Sequence, residues 1–498
     1  MSYVLGVDLG TSGLKCLLMH VKSNAVFVAH ADYVYAIPHI GWAEQDVEEW
    51  WQALKHAVRR VIQDANVDPR EIAAISFSGQ MHGLVPMGAD GRAVRPAIIW
   101  CDQRSKDVVA RFNTDDNRRL FTAHTGNRLF AGFALASLIW MAENEPHLYK
   151  DVRTICCPKD YLRYRLTGSL ATEQTDASST GAFDVEHGRW SDFIIDHCNL
   201  NPAIFPAVHL PADPAGTVLP DVARELGLAP DCTVYYGGSD QVMQALGNGI
   251  MQRGPVSVTI GTGGQVLSVL DSFRMHAGTG AHTFCFQQAD SWYFLGATLA
   301  AGQSLRWLKN NILKLSSYDQ MNLLAEQAKP GSDGLVFLPY LVGERTPHAD
   351  PLASGMFFGL RMKHDQPALI RSVMEGVAFS LKDSLNCLSE IDVHPDFVVA
   401  SGGGAASLLW LQIQADIFNL PIYISETKEQ AALGAAMTAA VAHGYFSSFS
   451  DAAGQYVKRS KHAVEPNDMN RDVYDLMYDG FKELYKQNKR LMRDKSIG

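Results

Sequence analysis

The sequence predicts an α/β protein made of two similar domains that face each other across a cleft. Short apolar runs typical of strands alternate with segments of helical period, which is the pattern of sheets covered by helices. A strand, a glycine turn and a second strand also occur twice, as VDLGTSGLKCLL from Val7 and as VTIGTGGQVLSV from Val258. Because Gly10 and Gly261 are separated by about half of the 498 residues, the repeat predicts duplicated domains at 1–246 and 247–498. Chance similarity of two glycine-rich hairpins is the alternative.

Local patterns predict the elements of the first half. Apolar or alternating runs predict five strands, at residues 3–7, 14–19, 25–33, 72–76 and 97–100. Asp46 and Glu49 have the spacing of a helix capping box. The helix that follows them has one apolar stripe, formed by Val47, Trp50, Leu54, Ala57 and Val61. Residues 121–170 have mostly helical patterns.

Composition and missing motifs exclude several classes of protein. A net charge of −10 argues against bulk electrostatic binding to nucleic acid or to an anionic membrane. The eight cysteines show no C-x-x-C spacing, so free thiols in a reducing cytoplasm are expected. No apolar segment is long enough to predict a membrane span. The absence of a Walker loop, a G-x-G-x-x-G fingerprint, H-E-x-x-H and G-x-S-x-G disfavours P-loop NTPases, Rossmann dehydrogenases, zincins and α/β-hydrolases.

The first glycine turn follows an aspartate, Asp8. Backbone amides and small hydroxyls in such a turn can hold phosphate oxygens, and here they belong to Gly10, Thr11 and Ser12. A carboxylate beside a phosphate is repulsive unless a divalent cation lies between them. Asp8 is therefore a candidate Mg²⁺ ligand, acting through water. The alternative is a turn aspartate that is satisfied by its own loop amides.

A second carboxylate, Asp240, follows a predicted strand at residues 233–236 and begins an apolar helical segment. An aspartate at the end of a strand can serve as a general base for a hydroxyl group, provided that burial does not raise its pKa. A helix cap is the alternative.

Two segments offer polar groups that suit a small polyhydroxylated ligand. SGQMHG follows the strand at 72–76 and WCDQR ends the strand at 97–100. Their candidate ligand-binding residues are Gln80, Met81, His82, Trp100, Asp102 and Arg104. The alternatives are a structural histidine and a salt-bridged surface turn. In addition, SGGGA between a strand and a helix, at residues 401–405, suits a nucleotide phosphate or ribose, or simply close packing.

Taken together, these motifs resemble those of the FGGY carbohydrate kinases, the sugar branch of the actin-like ATPase superfamily. DLGTSG and TIGTGG are similar to the family's two phosphate loops, and SGGGA is similar to its adenosine loop. The long runs PKDYLRYRLTG and LPYLVGERTPHADPLASGMFFGL extend the resemblance over nearly the whole chain. The resemblance implies two duplicated actin-like, ribonuclease H-like domains with an interdomain cleft. It also implies a sugar and ATP as small-molecule substrates, with Mg²⁺.

Residue roles follow from the same resemblance. Asp240 falls where the family has its catalytic base, Asp8 at the metal–phosphate centre, and Met81 and His82 at the sugar. Gln241 lies beside the base, in the presumed sugar pocket. The positions that match nucleotide contacts are Gly10, Thr11, Ser12, Gly261, Thr262, Gly302, Gly403 and Gly404.

Within the family, the long runs are most similar to the xylulokinase branch, which implies D-xylulose as the phosphoryl acceptor. Cys101, Gln103 and Gln241 depart from that branch, so another ketose, a polyol or an aldonate stays open as the acceptor. An actin-like ATPase without a sugar substrate is a third alternative. A homodimer is also left open, and domain closure is expected on binding.

Overall fold

The computed structural model describes residues 1–275 and 278–494 and contains two large sheets of the same topology. In each, the central strand belongs to an antiparallel three-strand meander on one side. On its other side it pairs with a parallel strand, which in turn pairs with a second parallel strand. The first sheet runs in the order Val26–Asp32, Gly13–His20, Tyr3–Leu9, Ile72–Gly79 and Thr233–Tyr235. The second runs in the order Trp292–Thr298, Gly264–Leu270, Pro255–Ile260, Phe397–Ser401 and Ile422–Ile424. The predicted duplicated α/β fold is confirmed.

Short strands extend these sheets or form small ribbons. Pro214–Thr217 and His282–Cys285 each add an antiparallel edge strand, and Gly238–Ser239 pairs in parallel with Ile72–Gly79. The ribbons are Glu44–Gln45 with Ala97–Ile98, Val85–Met87 with Thr154–Cys156, Thr172–Glu173 with Val208–His209, Phe183–Asp184 with Arg189–Trp190, and Val336–Leu338 with Met356–Phe358. The strand predicted at 97–100 is therefore shorter than expected, because the backbone turns where the Asp102 N–H donates to the Ile99 carbonyl.

The predicted first helix is present as Val47–Ala65, and its five predicted apolar residues are buried. Asp46 is its N-cap, but the side chain accepts from the backbone N–H of Glu48, not from that of Glu49 as a capping box requires. The other helices of the first half are Lys106–Phe112, Asp115–Thr125, Ala134–Asn144, Pro146–Tyr149, Pro158–Thr167, Gln174–Ser178, Asp192–His197, Pro220–Leu226 and Asp240–Gly247.

The second half contains the longest helix, Gln366–Glu390, and most of its residues are buried. The others are Gly302–Trp307, which continues as a π-helical turn at Leu308–Leu313, then Tyr318–Ala325, Leu408–Phe418, Gln430–Ala442, Phe449–Tyr456 and Arg471–Met492. Within the described residues, no helix combines the length and the apolar character needed to cross a bilayer. All eight cysteines are free.

One helix of the second half packs on the first sheet. Gln430–Ala442 lies against the strand Tyr3–Leu9 and the helix Asp240–Gly247. The contact is so close that a Cβ atom on Gly6, Gly247 or Gly434 would clash with the opposing backbone. The two halves of the chain therefore share a hydrophobic core. The domain boundary at residue 246 stays a prediction made from the sequence.

Candidate active site

The first glycine turn, Gly10–Gly13, lies at the carboxyl end of the central strand of the first sheet. The Gly10 N–H donates to the Gly13 carbonyl at 3.0 Å, and the Tyr33 hydroxyl donates to the Gly10 carbonyl at 2.6 Å. Asp8 stands just before the turn and accepts a hydrogen bond from the Ser78 hydroxyl at 2.7 Å. Burial raises the pKa of Asp8, and this rise is opposed by the Ser78 bond and by Lys15.

Asp240 lies beside this turn because three parallel strand ends meet there. Ser78 is paired with Asp8 on one side and with Gly238 on the other, so Asp240 begins its helix next to the end of the Ile72–Gly79 strand. Its Oδ1 atom is buried and has no hydrogen-bond partner in the described part of the chain. Burial, and secondly the charge of Asp8, raise the pKa of Asp240 to about 7. Gln241 donates hydrogen bonds to Asp240, and these oppose the rise.

The Asp8 carboxylate fits a hard divalent cation. Among the described residues, its side chain accepts a hydrogen bond only from the Ser78 hydroxyl, which leaves oxygen lone pairs for a ligand. Carboxylate oxygens are the ligands that Mg²⁺ prefers, and Mg²⁺ keeps several of its waters.

A second cluster of acidic side chains is already neutralised by a lysine of the protein. Ligand atoms of Cys157, Asp160 and Asp176 lie within 4.8 Å of one another. The Lys159 ammonium lies between the two aspartates, at 3.0 Å from Asp160 and 2.9 Å from Asp176. This group is therefore a buried ion cluster, and it is not a metal site.

His82 carries a neutral imidazole. It adopts a left-handed backbone conformation with φ 70°, and its ring stacks on Phe133 at 4.5 Å between centroids. The Nδ1 atom donates to the Ser179 carbonyl at 2.8 Å. Burial and the charge of Arg345 lower the pKa of His82 to about 3. Because the ring is neutral with its proton on Nδ1, Nε2 can accept a hydrogen bond from a ligand hydroxyl.

Gln80 and Trp100 link the first glycine turn to the SGQMHG and WCDQR segments. The Gln80 amide donates to the Gln45 Oε1 atom at 2.8 Å, and Gln45 in turn donates to the Thr11 carbonyl at 2.7 Å. The indole N–H of the exposed Trp100 donates to Thr11 Oγ1 at 2.9 Å. Met81 is buried beside Tyr293, whose hydroxyl lies 3.8 Å from the methionine sulfur. No sequence motif indicated that Gln45 belongs to the site.

Asp102 and Arg104 require a correction, because the structure gives them no direct access to a ligand. The Asp102 carboxylate accepts from the Ala43 N–H at 2.6 Å and pairs with Arg104 at 2.8 Å. Arg104 also pairs with Glu44 at 2.7 Å and stacks over the Trp42 ring at 3.8 Å. Both side chains are essentially buried, so they form the salt-bridged turn of the alternative interpretation, in the interior instead of at the surface.

The second glycine turn opens onto a cavity of about 320 Å³. The Gly302 N–H donates to the Gly261 carbonyl at 3.1 Å, and a Cβ atom on Gly302 would clash with that carbonyl. Five predicted nucleotide residues line the cavity, namely Gly261, Thr262, Gly302, Gly403 and Gly404. Other lining residues, which sequence motifs did not indicate, include Tyr318, Asn322, Met374 and Trp410. Gly10, Thr11 and Ser12 lie outside this lining, on the first loop.

The chain has two duplicated sheets, and each has a glycine–threonine turn at a strand end. A pair of carboxylates lies beside one of these turns. This combination defines a two-domain phosphotransferase of the actin-like ATPase class. Family models of the FGGY family of carbohydrate kinases match the chain twice, with the N-terminal domain at residues 3–247 and the C-terminal domain at residues 256–443. The chain belongs to this family of ATP-dependent carbohydrate kinases.

Individual relatives cover nearly the whole chain. The chain is 36% identical over 491 residues to the xylulose kinase of Bacillus subtilis, and the match covers 99% of this chain and 98% of the relative. It is 28% identical to the gluconokinase of the same species, covering 96% and 94%. A crystal structure of a xyloylose kinase from Brucella ovis is similar with a TM-score of 0.93 and 32% identity, covering 98% of this chain and 100% of that one.

Proposed function

We propose that this chain transfers the γ-phosphoryl group of ATP to D-xylulose, forming D-xylulose 5-phosphate. The observation that carries this proposal is the buried Asp240 carboxylate, which has an unpartnered oxygen beside Asp8 and beside the strand that leads into the His82 loop. The choice of D-xylulose is supported by the xylulose kinases to which the chain is similar over nearly its full length.

Asp240 acts as the general base in this proposal. The acceptor hydroxyl loses its proton to Asp240 Oδ1 while its oxygen forms the bond to the γ-phosphorus and ADP leaves. The neutral His82 orients the sugar by accepting a hydrogen bond from a sugar hydroxyl at Nε2. Since the pKa of Asp240 is raised to about 7, the carboxylate is a stronger base than an exposed aspartate but is only partly ionised at neutral pH.

The two glycine turns hold the nucleotide from opposite sides of the cleft. Gly261, Thr262, Gly302, Gly403 and Gly404 would hold the nucleotide in the second half, while Gly10, Thr11 and Ser12 contact the transferring phosphate through backbone amides and hydroxyls. Mg²⁺ would be held through water by Asp8, and when bound it neutralises phosphate charge. We further propose action in the cytoplasm, while the homodimer stays a prediction.

Release of ADP over a panel of acceptors tests the function. D-xylulose should give the highest kcat/KM among ketoses, polyols and aldonates, and the product should be the 5-phosphate by NMR. Asp240→Asn serves as the matched control because it keeps the shape of the side chain. Release that does not depend on a sugar would instead support the actin-like ATPase alternative.

The second candidate is the same transfer to a different ketose, a polyol or an aldonate. It is favoured by Cys101, Gln103 and Gln241, which depart from the xylulokinase pattern near the presumed pocket. A kcat/KM for another acceptor at least tenfold above that for D-xylulose would select it.

A further inference from the structure

Five fully buried side chains form an ion cluster in the first half of the chain, namely Lys159, Asp160, Arg163, Glu173 and Asp176. The Lys159 ammonium lies 3.0 Å from Asp160, 3.1 Å from Glu173 and 2.9 Å from Asp176. The Arg163 guanidinium lies 3.5 Å from Asp160. Burial raises the pKa of Asp176, which fits a cluster that has three carboxyl groups but only two cations.

Stability alone does not explain this cluster. Ion pairs that are removed from water contribute little net stability, because the loss of hydration offsets the attraction between the charges. Apolar residues of similar volume would fill the core as well. What a buried ion cluster does supply is a fixed direction for each hydrogen bond that it makes, so the groups bound to it are held in place.

One hydroxyl connects the ion cluster to the residue before Asp240. Thr175 Oγ1 lies 2.9 Å from Glu173 Oε1 and accepts a hydrogen bond from the Ser239 N–H at 2.8 Å. A carboxylate that is paired with an ammonium group has no proton to donate, so the hydroxyl proton of Thr175 faces Glu173 and an oxygen lone pair faces Ser239. Glu173 is held in turn by the Lys159 ammonium and by two backbone N–H groups of the turn that follows it. The direction of the contact with Ser239 is therefore fixed.

The helix that begins at Asp240 is not capped by its own N-cap side chain. Ser239 is the N-cap of Asp240–Gly247, and its side chain makes no capping hydrogen bond. The backbone of Ser239 pairs in parallel with Gly79. The ion cluster also packs against this neighbouring strand end, since a Cβ atom on Gly79 would lie 2.7 Å from the Lys159 Cβ atom. The backbone that leads into Asp240 is therefore held from the side of the ion cluster at two adjacent strand ends.

We propose that Thr175 is a positioning residue for phosphoryl transfer, because its hydroxyl connects the ion cluster to the peptide that precedes Asp240. The inference rests on the function proposed above, in which Asp240 takes the proton of the acceptor hydroxyl. A general base must lie within hydrogen-bond reach of that proton, so a small displacement of the carboxylate slows the chemical step and leaves the sugar-binding groups in place. In this role Thr175 acts through Ser239 and not through the substrate.

Two buried threonines on the same cluster give a matched pair of variants. The Thr172 hydroxyl donates to Asp160 Oδ2 at 2.8 Å, whereas the Thr175 hydroxyl bonds to Ser239. With the best acceptor of the panel, Thr175→Val should lower kcat about 10- to 100-fold, and sugar affinity by calorimetry should stay within about threefold. Thr172→Val should also lower the melting temperature, but its kcat should stay within about threefold of wild type. Thr175→Ser keeps the hydroxyl and should restore kcat to within about fivefold.

A double-mutant cycle with Asp240→Asn separates positioning from stability. In the Asp240→Asn background, Thr175→Val should change the remaining single-turnover rate by less than about threefold, because the base that it displaces is already absent. Its effect on the melting temperature should be the same in both backgrounds.

Equal losses of kcat in Thr172→Val and Thr175→Val would overturn the proposal, as would a loss that persists in the Asp240→Asn background. If Thr175→Val does not fold, Thr175→Cys is compared with Thr175→Ser. These two variants differ only in sulfur against oxygen, and the thiol, a weak acceptor, should show the loss of kcat. Equal kcat values for the two would also overturn the proposal. Failure of the function proposed above would instead show in wild-type protein, as a different preferred acceptor or as ADP release that does not depend on a sugar.

Discussion

The glycine turns Gly10–Gly13 and Gly261–Gly264 hold equivalent places in sheets of the same topology, but they differ in the side chain that precedes them. Before the first turn, Asp8 accepts from Ser78 on the neighbouring parallel strand at 2.7 Å. Before the second turn, Thr259 shares a 2.7 Å hydrogen bond with Ser401, again on the neighbouring parallel strand. The serine is present in both halves, and a carboxylate in the first half corresponds to a hydroxyl in the second.

This difference gives different electrostatic properties to two turns that have the same backbone. The turn beside Thr259 is neutral, so its amides can take an anionic nucleotide in the adjoining cavity without repulsion. The turn beside Asp8 repels phosphate unless a cation lies between them, and its charge contributes to the raised pKa of Asp240. On the function proposed above, the duplicated turns serve as two phosphate loops, and the carboxylate of Asp8 distinguishes the reactive one.

The largest effect is expected at Asp240, on the reactive side. Asp240→Asn keeps the shape but removes the base, and general-base assistance supplies roughly 10²- to 10⁴-fold. Single-turnover kinetics should show a loss of about 3–5 kcal/mol in the chemical step. Sugar affinity measured by calorimetry should stay within about threefold, because Asn keeps the size of the side chain. Turnover within about threefold of wild type would show that Asp240 is not the general base, and would leave it as the first residue of a helix whose N-cap is Ser239.

Asp8→Thr gives the first turn the side chain of the second. Without the carboxylate, Mg²⁺ loses an anchor, which costs several kcal/mol of transition-state stabilisation, or roughly 10²- to 10³-fold in kcat. Sugar affinity should change little, and higher Mg²⁺ concentrations should restore part of the rate. A large loss of sugar binding with normal turnover would show that Asp8 does not serve the phosphate.

The pH dependence should also separate the two sides of the cleft. Because Asp240 must be ionised, kcat/KM should fall about tenfold per unit below pH 7, and Asp240→Asn should lack this limb. The folded-state pKa is raised, so the stability due to protonated Asp240 is full below pH 4 and is lost as pH rises through about 7. Asp240→Asn should therefore raise the melting temperature more at pH 8 than at pH 5. An unchanged difference between the two pH values would contradict the raised pKa.

The smallest effect is expected at Thr259, on the neutral side. Thr259→Val removes the hydrogen bond to Ser401 with little change in shape, which should lower the free energy of unfolding by about 1 kcal/mol. Denaturant titration measures this loss. Turnover should stay within about fivefold, and a collapse like that of Asp8→Thr would mean that the two turns are chemically equivalent.

Contiguous motifs predicted the parts of the site that depend on the local backbone. The two turns, Asp8 and Asp240 could be placed because strand ends and glycine turns are local features. Gln45 could not, since its hydrogen bonds with Gln80 and Thr11 join segments that are far apart in sequence. Asp102 and Arg104 show the opposite difficulty. Their polarity suits a ligand and a buried ion pair equally well, and only the tertiary positions of Glu44 and Trp42 decide between them.

The helix Gln430–Ala442 has a consequence for biosynthesis. Its alanines cover part of the first sheet, and its backbone comes so close to Gly6 and Gly247 that a side chain at either position would clash with it. The ribosome completes the first half of the chain long before it synthesises this helix. One apolar face of the first sheet is therefore exposed to solvent during the rest of translation. A fragment ending at residue 246 should consequently aggregate or bind chaperones, and adding residues 430–442 in trans should make it more soluble.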